Sequence, residues 1–384
     1  MVVSTKVRLL IVGSCGRDTG GVAQYIHGQV RHLNDDLDIE IHDTTSPPGK
    51  DALSDGGLSK LLWLFSAVLS ALWTVLQYPF RSRPDIVHVH ASSRLSFYRE
   101  SVYVVYTALI WKRQVVIHIH GSDFDEFLQE CGPVRSWYIQ QVLSLCAEVI
   151  VLSSYWEDVL QRETNIRHTT VLPNPIDAET FPNGDGTGGP HFIYIANLIE
   201  RKGVEEFVTA IRQLQKTDGL PFKVSIAGDG PEADRMSVLA NEYDSVEYYG
   251  YVDEERKREL LTEGSVYVLP THAEGLPISL LEGMAGGNAI VSTEVGAIPE
   301  VIRSENGVLI SPVDVDELTE ALETLRTNDQ LRQTMAQNNS RLVREQYTWS
   351  SISEELLALY DRLQSSPNRG QKDDQRKTIP TKPE

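Results

Sequence analysis

VYVLPTHAEGLPISLLEGMAGGNAIVS, residues 266–292, holds a complete strand, helix, strand unit. Val266–Leu269 is a short apolar run bounded by proline, which reads as a buried strand. A helix starts near Leu276 or Pro277, where proline is tolerated because early helical positions need no amide donor. A second apolar run, Ala289–Ser292, follows. Working outward, similar runs occur at 192–195, 223–227, 246–249 and 307–310 on either side. Others lie at 7–12, 85–90, 114–118, 148–152 and 168–172 in the first half. The segments between them look helical, Val22 to Leu33 among them, so the chain is read as α/β, with two mainly parallel sheets in series. The stretch 183–190, rich in Gly, Asp, Thr and Pro without apolar period, is the linker candidate, with the boundary near 185.

Composition removes several classes. The chain has 384 residues, a net charge of −19 and 41% hydrophobic residues, enough for two or three full cores and too apolar for global disorder. A uniformly negative field without a long Lys/Arg run argues against nucleic acid as a partner. The cysteines, Cys15, Cys131 and Cys146, are odd in number and lack metal-ligand spacing, as expected of a reducing compartment. The opening apolar stretch runs into glycine without a cleavage site and reads as a first strand, so the expected location is cytoplasmic. Residues 61–76, LLWLFSAVLSALWTVL, carry no charge but fall short of the roughly 20 residues of a bilayer span. They are read as a sheet-covering helix or as a monotopic helix touching lipid, which would make the protein peripheral on the inner membrane face. Residues 352–363 have helical apolar spacing, and the polar stretch 365–384 is expected to be a disordered tail.

The chemistry concentrates in a few places. Glu274 lies in a loop after a strand, and Glu282 follows inside the next helix. The helix opening at Gly275, Leu276, Pro277 and Ile278 offers amide N–H groups and a positive dipole end, suited to a phosphate or diphosphate. Glu282 could accept from a ribose diol, and Glu274 lies where a sugar could reach it. In IANLIERKGVEEF, residues 195–207, Arg201 and Lys202 precede Gly203 at a probable helix start, a second anion locus, with Asn197 beside it. Gly228 and Gly230 sit at a strand end, where open α/β sheets contact nucleotides. The Gly16–Gly21 loop lacks the endings of an ATPase or dinucleotide loop, which disfavours those classes. His118, His120 and Asp123 cluster in HIHGSDF. His88 and His90 are expected to alternate across their strand and not share one cavity, and His88 and His118 are read as buried structural residues. No metal site is expected, since these residues lie on separate elements without a metal-binding pattern.

Together these residues resemble the GT4 family of retaining glycosyltransferases. The resemblance covers nearly all of residues 6–364, and its strongest element is the Glu-x7-Glu pair at Glu274 and Glu282. It implies the GT-B architecture of two Rossmann-like domains facing a cleft. Residues 1–184 would form the acceptor-side domain and 185–345 the nucleotide-sugar domain, with 346–364 returning to brace the first. In family terms Glu274 contacts the donor sugar, Glu282 the ribose and Lys202 the diphosphate. Gly20 and Gly21 match the glycine-rich first loop, and His120 matches the sugar-side histidine. The family arginine of a Gly-Arg pair is replaced by Asn197, and Arg201 could compensate. LPNPID (172–177) and GAIPEVI (296–302) match two further family elements. The implied activity is transfer from a nucleotide-sugar donor to a hydroxyl of a glycan or lipid-linked acceptor, with retention and without metal. Alternatives on the same architecture are a sugar-phosphate synthase or phosphorylase, an epimerase, or a binding protein that has lost transfer.

Overall fold

The computed structural model of the chain describes residues 6–16, 20–45, 58–182 and 189–365. These divide into two compact units. One runs to Leu172 and resumes at Ile352, and the other is Pro173–Ser351.

The first unit contains β1 (Arg8–Gly13), β2 (Asp38–Asp43), β3 (Ile86–Ala91), β4 (Gln114–Ile119), β5 (Glu148–Val151) and β6 (Thr169–Val171). They form one parallel sheet in the order β2-β1-β3-β4-β5-β6. β3 is buried along its whole length, which is why it reads as a continuous apolar run interrupted only by histidines. β2 was not among the expected strands; its sequence, DIEIHD, alternates charge with isoleucine as an edge strand does. The helix Trp349–Ser365 places Ile352, Leu356, Leu359, Tyr360 and Leu363 in the first unit's core, beside Leu9, Ile11, Ile86 and Val116. The spacing of those five side chains is the helical one.

The second unit holds β7 (His191–Ile195), β8 (Lys223–Ala227), β9 (Val246–Tyr248), β10 (Val266–Leu269), β11 (Ala289–Thr293) and β12 (Gly307–Ile310). Their parallel order, β12-β11-β10-β7-β8-β9, runs outward in both directions from the β7/β10 pair. Such a reversal opens a crevice at the carboxyl ends of the two central strands, where ligands of doubly wound sheets bind.

The division at Leu172/Pro173 comes ahead of the boundary expected near 185. Packing explains the difference. Asn174 Nδ2 donates to the Leu276 carbonyl at 2.6 Å, Ile176 pairs with Thr348, and Arg344 donates to the carbonyls of Ala178 and Phe181. The chain therefore joins the second unit before its glycine-rich stretch begins. Residues 183–188 of that stretch, residues 17–19 of the first glycine loop, and the tail expected beyond Ser365 lie outside the described residues. The apolar segment expected at 61–76 lies in a helix, Leu58–Gln77. No helix among the described residues is long and apolar enough to cross a membrane.

Candidate active site

The loops leaving β7 and β10 meet at the reversal point of the second sheet. After β7 the chain makes a single 3-10 turn, Glu200–Lys202, closed by Gly203 at φ 73°. After β10 it runs through Thr271 and Glu274 to Pro277, the cap of the helix Ile278–Ala285. The helix thus opens at Ile278, just past the expected Leu276 or Pro277; Leu280 and Leu281 N–H donate to the Pro277 carbonyl at 3.2 and 3.4 Å, so among the described residues it is the Ile278 and Ser279 amides that lack an intrahelical acceptor.

The two loops are stitched together by charge. Lys202 Nζ donates to Glu274 Oε1, and Arg201 donates to the Ala273 carbonyl and approaches Glu274 Oε1 at 3.6 Å. Thr271 Oγ1 donates to the same carboxylate oxygen at 3.2 Å. Glu274 is buried, so its charge is compensated by these groups rather than by bulk water. Backbone contacts fix the loop from beneath. Ala297 N donates to the Gly275 carbonyl at 3.0 Å, and a Cβ at Gly296 would sit 1.8 Å from the Glu274 carbonyl oxygen. The Asn174 contact to Leu276 holds the far side. The elements 172–177 and 296–302 therefore act as props for the Glu274 loop.

Glu282 is buried one turn inside the helix and receives Lys257 Nζ at 2.8 Å; Lys257 also meets Glu254 at 2.7 Å. Burial disfavours the Lys257 ammonium, but Glu282 and Glu254 outweigh it and hold the group above the ordinary lysine value. Sequence reading did not find Lys257. It lies in EERKRELLTE, a helix whose many charges look like a solvated face, and only the fold aims this lysine at Glu282.

The glycines have a geometric reason. Gly228 and Gly230 have φ of 137° and 151°, and a Cβ would meet the Ala196 carbonyl oxygen at 1.9 Å or the Leu198 carbonyl oxygen at 2.4 Å. They let the turn after β8 press against the loop that carries Asn197, which is itself exposed. At Gly203, a Cβ would lie 1.9 Å from the Pro270 carbonyl oxygen, so only glycine lets the β7 and β10 loops touch. Gly203→Ala is expected to lower the thermal midpoint of the second unit by about 5–15 °C. About 1–2 kcal/mol comes from the left-handed backbone and about 1–3 kcal/mol from overpacking, and a calorimetric scan reads the sum.

Gly20, Gly21 and His120 belong to the first unit. Gly20 caps the helix Gly21–Leu33 and both glycines are exposed. His120 follows β4 and joins a buried stack. The His88 and His90 rings lie 4.3 Å apart, and His118 and His120 4.0 Å apart. The expectation that His88 and His90 point to opposite sides is corrected: residues two apart on a strand share a face. Gln29 Nε2 donates to Tyr360 Oη at 2.8 Å, and Gln29 Oε1 accepts from His90 Nε2 at 2.9 Å. That leaves His90 Nδ1 to accept from His120 Nε2 at 3.0 Å, which fixes the tautomer and plane of His120. Tyr360 Oη donates to His88 Nδ1 at 2.6 Å, while neither nitrogen of His118 has a hydrogen-bond partner among the described residues. Burial pushes His88 down to about 3, and burial with the neighbouring imidazoles pushes His90 and His118 far down, so the rings are neutral. Nitrogens of His88, His90 and His118 lie within 4.8 Å of one another. A metal held by all three would have to break the Gln29–His90–His120 chain, so hydrogen bonding accounts for the stack better than ligation.

Comparison with known proteins agrees with this architecture. Residues 19–180 match the family model Glycosyltransferase Family 4, and residues 176–342 match Glycosyl transferases group 1. The chain is 25% identical over 298 residues to the phosphatidylinositol N-acetylglucosaminyltransferase gpi3 subunit of Schizosaccharomyces pombe, covering 75% of this chain and 63% of that protein. It therefore spans less than two thirds of that relative's length. It is also 25% identical over 320 residues to the alpha-D-kanosaminyltransferase of Streptomyces kanamyceticus, covering 76% of this chain and 81% of that one. Among solved structures, sucrose-phosphate synthase from Thermosynechococcus elongatus superposes with a TM-score of 0.76 at 18% identity, over 93% of this chain and 99% of that one. Anabaena HepE in complex with UDP and glucose gives 0.70 at 15% identity, over 93% and 100%. Two glycosyltransferase family models that together cover residues 19–342, joined to this structural likeness, make the chain a glycosyltransferase of GT-B fold, related to the GT4 family.

Proposed function

We propose that the protein is a retaining glycosyltransferase that moves a sugar from a nucleotide-sugar donor to a hydroxyl of a glycan or lipid-linked acceptor, in the cytoplasm on the inner membrane face. The observation that carries the reading is the Lys202–Glu274 pair at the reversal point of the second sheet, beside the opening of the Ile278–Ala285 helix. A diphosphate is drawn there by the Lys202 ammonium, the Arg201 guanidinium and the helix N-terminus, all of one sign in an acidic chain. Glu282, oriented by Lys257, accepts from the ribose hydroxyls. Glu274, Gly275, Leu276, Pro277 and Ile278 form the wall for the sugar and diphosphate. Asn197 stands near the phosphates, and Gly228 and Gly230 shape the nucleotide side. Within the first unit, Gly20 and Gly21 are the residues that match the family's glycine-rich loop, and His120 the one that matches its sugar-side histidine. The Anabaena HepE complex with UDP-glucose supports a nucleoside diphosphate as the leaving group.

In the reaction the anomeric carbon parts from the diphosphate oxygen, the acceptor oxygen bonds to the same face, and the acceptor proton passes to the departing phosphate oxygen. Lys202 and the helix amides stabilise the charge that grows on that oxygen. Glu274, held through Oε1 by Lys202 and Thr271, is assigned a binding role, since attack from the leaving-group face needs no carboxylate nucleophile on the opposite face. The cations and the helix terminus together supply the charge compensation that a divalent metal would otherwise give.

The test is product analysis of the purified full chain with a panel of nucleotide sugars and simple hydroxyl acceptors. A glycoside with the donor's anomeric configuration supports the proposal. An inverted product, a sugar phosphate, an epimerised donor, or binding with no product would overturn it. In the same assay Glu282→Gln is expected to raise the donor KM about tenfold and leave kcat within about threefold, since one charge-assisted hydrogen bond contributes roughly 1.5–3 kcal/mol to binding.

A further inference from the structure

The helix Leu58–Gln77 turns only one side toward the protein. Ala67, Ser70, Ala71, Thr74 and Val75 are half-buried and Tyr78 is buried, whereas Leu62, Phe65, Val68, Leu69, Leu72, Trp73 and Leu76 face outward at three- and four-residue spacing. Phe65, Trp73 and Leu76 are each 63% exposed, and Phe80, just beyond the helix, is 89% exposed. Soluble surfaces scatter single apolar residues but seldom align this many on one stripe.

The stripe does not end with the helix. Tyr78 bonds Thr107 at 2.6 Å and stacks on Trp111 at 4.6 Å, which pins the helix end to the turn Thr107–Trp111. That turn presents Leu109 and Ile110, 53% and 62% exposed. Both apolar segments then stop at cations: Tyr78-Pro79-Phe80 runs into Arg81-Ser82-Arg83, and Leu109-Ile110-Trp111 into Lys112-Arg113. Between Leu58 and Phe80 the one charged residue is Lys60. In a chain of net charge −19, an apolar stripe edged at one end by Arg83, Lys112 and Arg113, with Arg81 shared with Glu40, is a local reversal of sign.

We infer that this face, from Leu62 to Phe80 with Leu109 and Ile110, is a docking surface for an anionic lipid bilayer, lying in the interface with its apolar side chains among the acyl chains and its cations at the headgroups. A protein partner would need apolar complementarity alone. The cations beside the apolar edge are what a negatively charged headgroup layer adds. The inference deepens the membrane-face placement proposed above, and it is independent of the donor chemistry because lipid binding requires no sugar.

The experiment is co-sedimentation of the full chain with phosphatidylcholine vesicles and with vesicles in which about a third of the lipid is phosphatidylglycerol. Binding is expected to be at least tenfold stronger to the anionic vesicles and to weaken at high salt. Leu69→Glu with Trp73→Glu should abolish it, and Arg83→Glu with Lys112→Glu should reduce it about tenfold or more. All four positions are exposed, and an unchanged thermal midpoint separates lost binding from lost folding. No sedimentation with either vesicle, or an equal response to neutral and anionic lipid, would overturn the proposal. So would a dimer in light scattering that the Leu69/Trp73 variant converts to monomer, since the face would then belong to a second copy of the chain.

Discussion

Lys202→Met should lower kcat by about a hundred- to a thousandfold at saturating donor, the scale of losing one preorganised charge at the leaving group. The donor KM should rise as well, because the same ammonium meets the diphosphate before the bond breaks. The substitution also has a folding cost that must be separated. Glu274 is buried and, among the described residues, keeps Thr271 at 3.2 Å and Arg201 at 3.6 Å once the lysine is gone. Removing one member of a buried ion pair typically costs about 3–5 kcal/mol, and the remaining partners put this case toward the lower end. The double substitution Lys202→Met, Glu274→Gln removes the orphaned charge and should recover most of the thermal stability while activity stays lost. Steady-state kinetics with a melting curve for the single and double variants tests both halves. Near-normal turnover in a folded Lys202→Met protein would remove the lysine from catalysis.

Mild acid should destabilise the first unit. His88, His90 and His118 are neutral in the fold because burial, and the other imidazoles, depress them far below the free value near 6.5. The unfolded chain therefore binds more protons below about pH 6.5, and stability must fall with pH. The contribution is complete above that pH and is lost progressively toward about 3, where His88 would protonate in place. Each histidine adds a slope of up to about 1.4 kcal/mol per pH unit. His88 alone costs roughly 2 kcal/mol at pH 5, and His90 and His118 add to it in the same direction. Urea midpoints at pH 7.5, 6 and 5 measure the slope. His118→Leu should make the slope shallower while costing little at neutral pH, since neither His118 nitrogen has a hydrogen-bond partner to lose among the described residues. A wild-type slope that stays flat between pH 6.5 and 5 would contradict the neutral stack.

Much of the fold is legible because strands buried on both faces must be nearly continuous runs of Val, Ile and Leu, as β1, β3, β4, β10 and β11 are. β2 escapes because an edge strand needs no such run. The histidines are legible as a cluster, but the expected alternation of His88 and His90 fails, because a period-two count puts residues two apart on one face. The Lys202–Glu274 pair spans loops that only strand order makes neighbours. It is anticipated through the two loop motifs, each of which follows a central strand. Lys257 and Asn174 carry no such signal. One sits in a helix crowded with charge, the other in a loop, and each matters through a single contact that tertiary structure creates.

The discontinuity of the first unit bears on how the protein is made. Its sheet leaves the ribosome early, but Ile352, Leu356, Leu359 and Tyr360, which seal one side of that sheet, are translated only after all of Pro173–Ser351. During synthesis the nascent sheet must therefore wait with an open apolar face, including Leu9, Ile86 and Val116, while the second unit, continuous in sequence, can already close. The first unit can complete its core only once the last helix has been made, and until then that apolar face is what a chaperone has to cover.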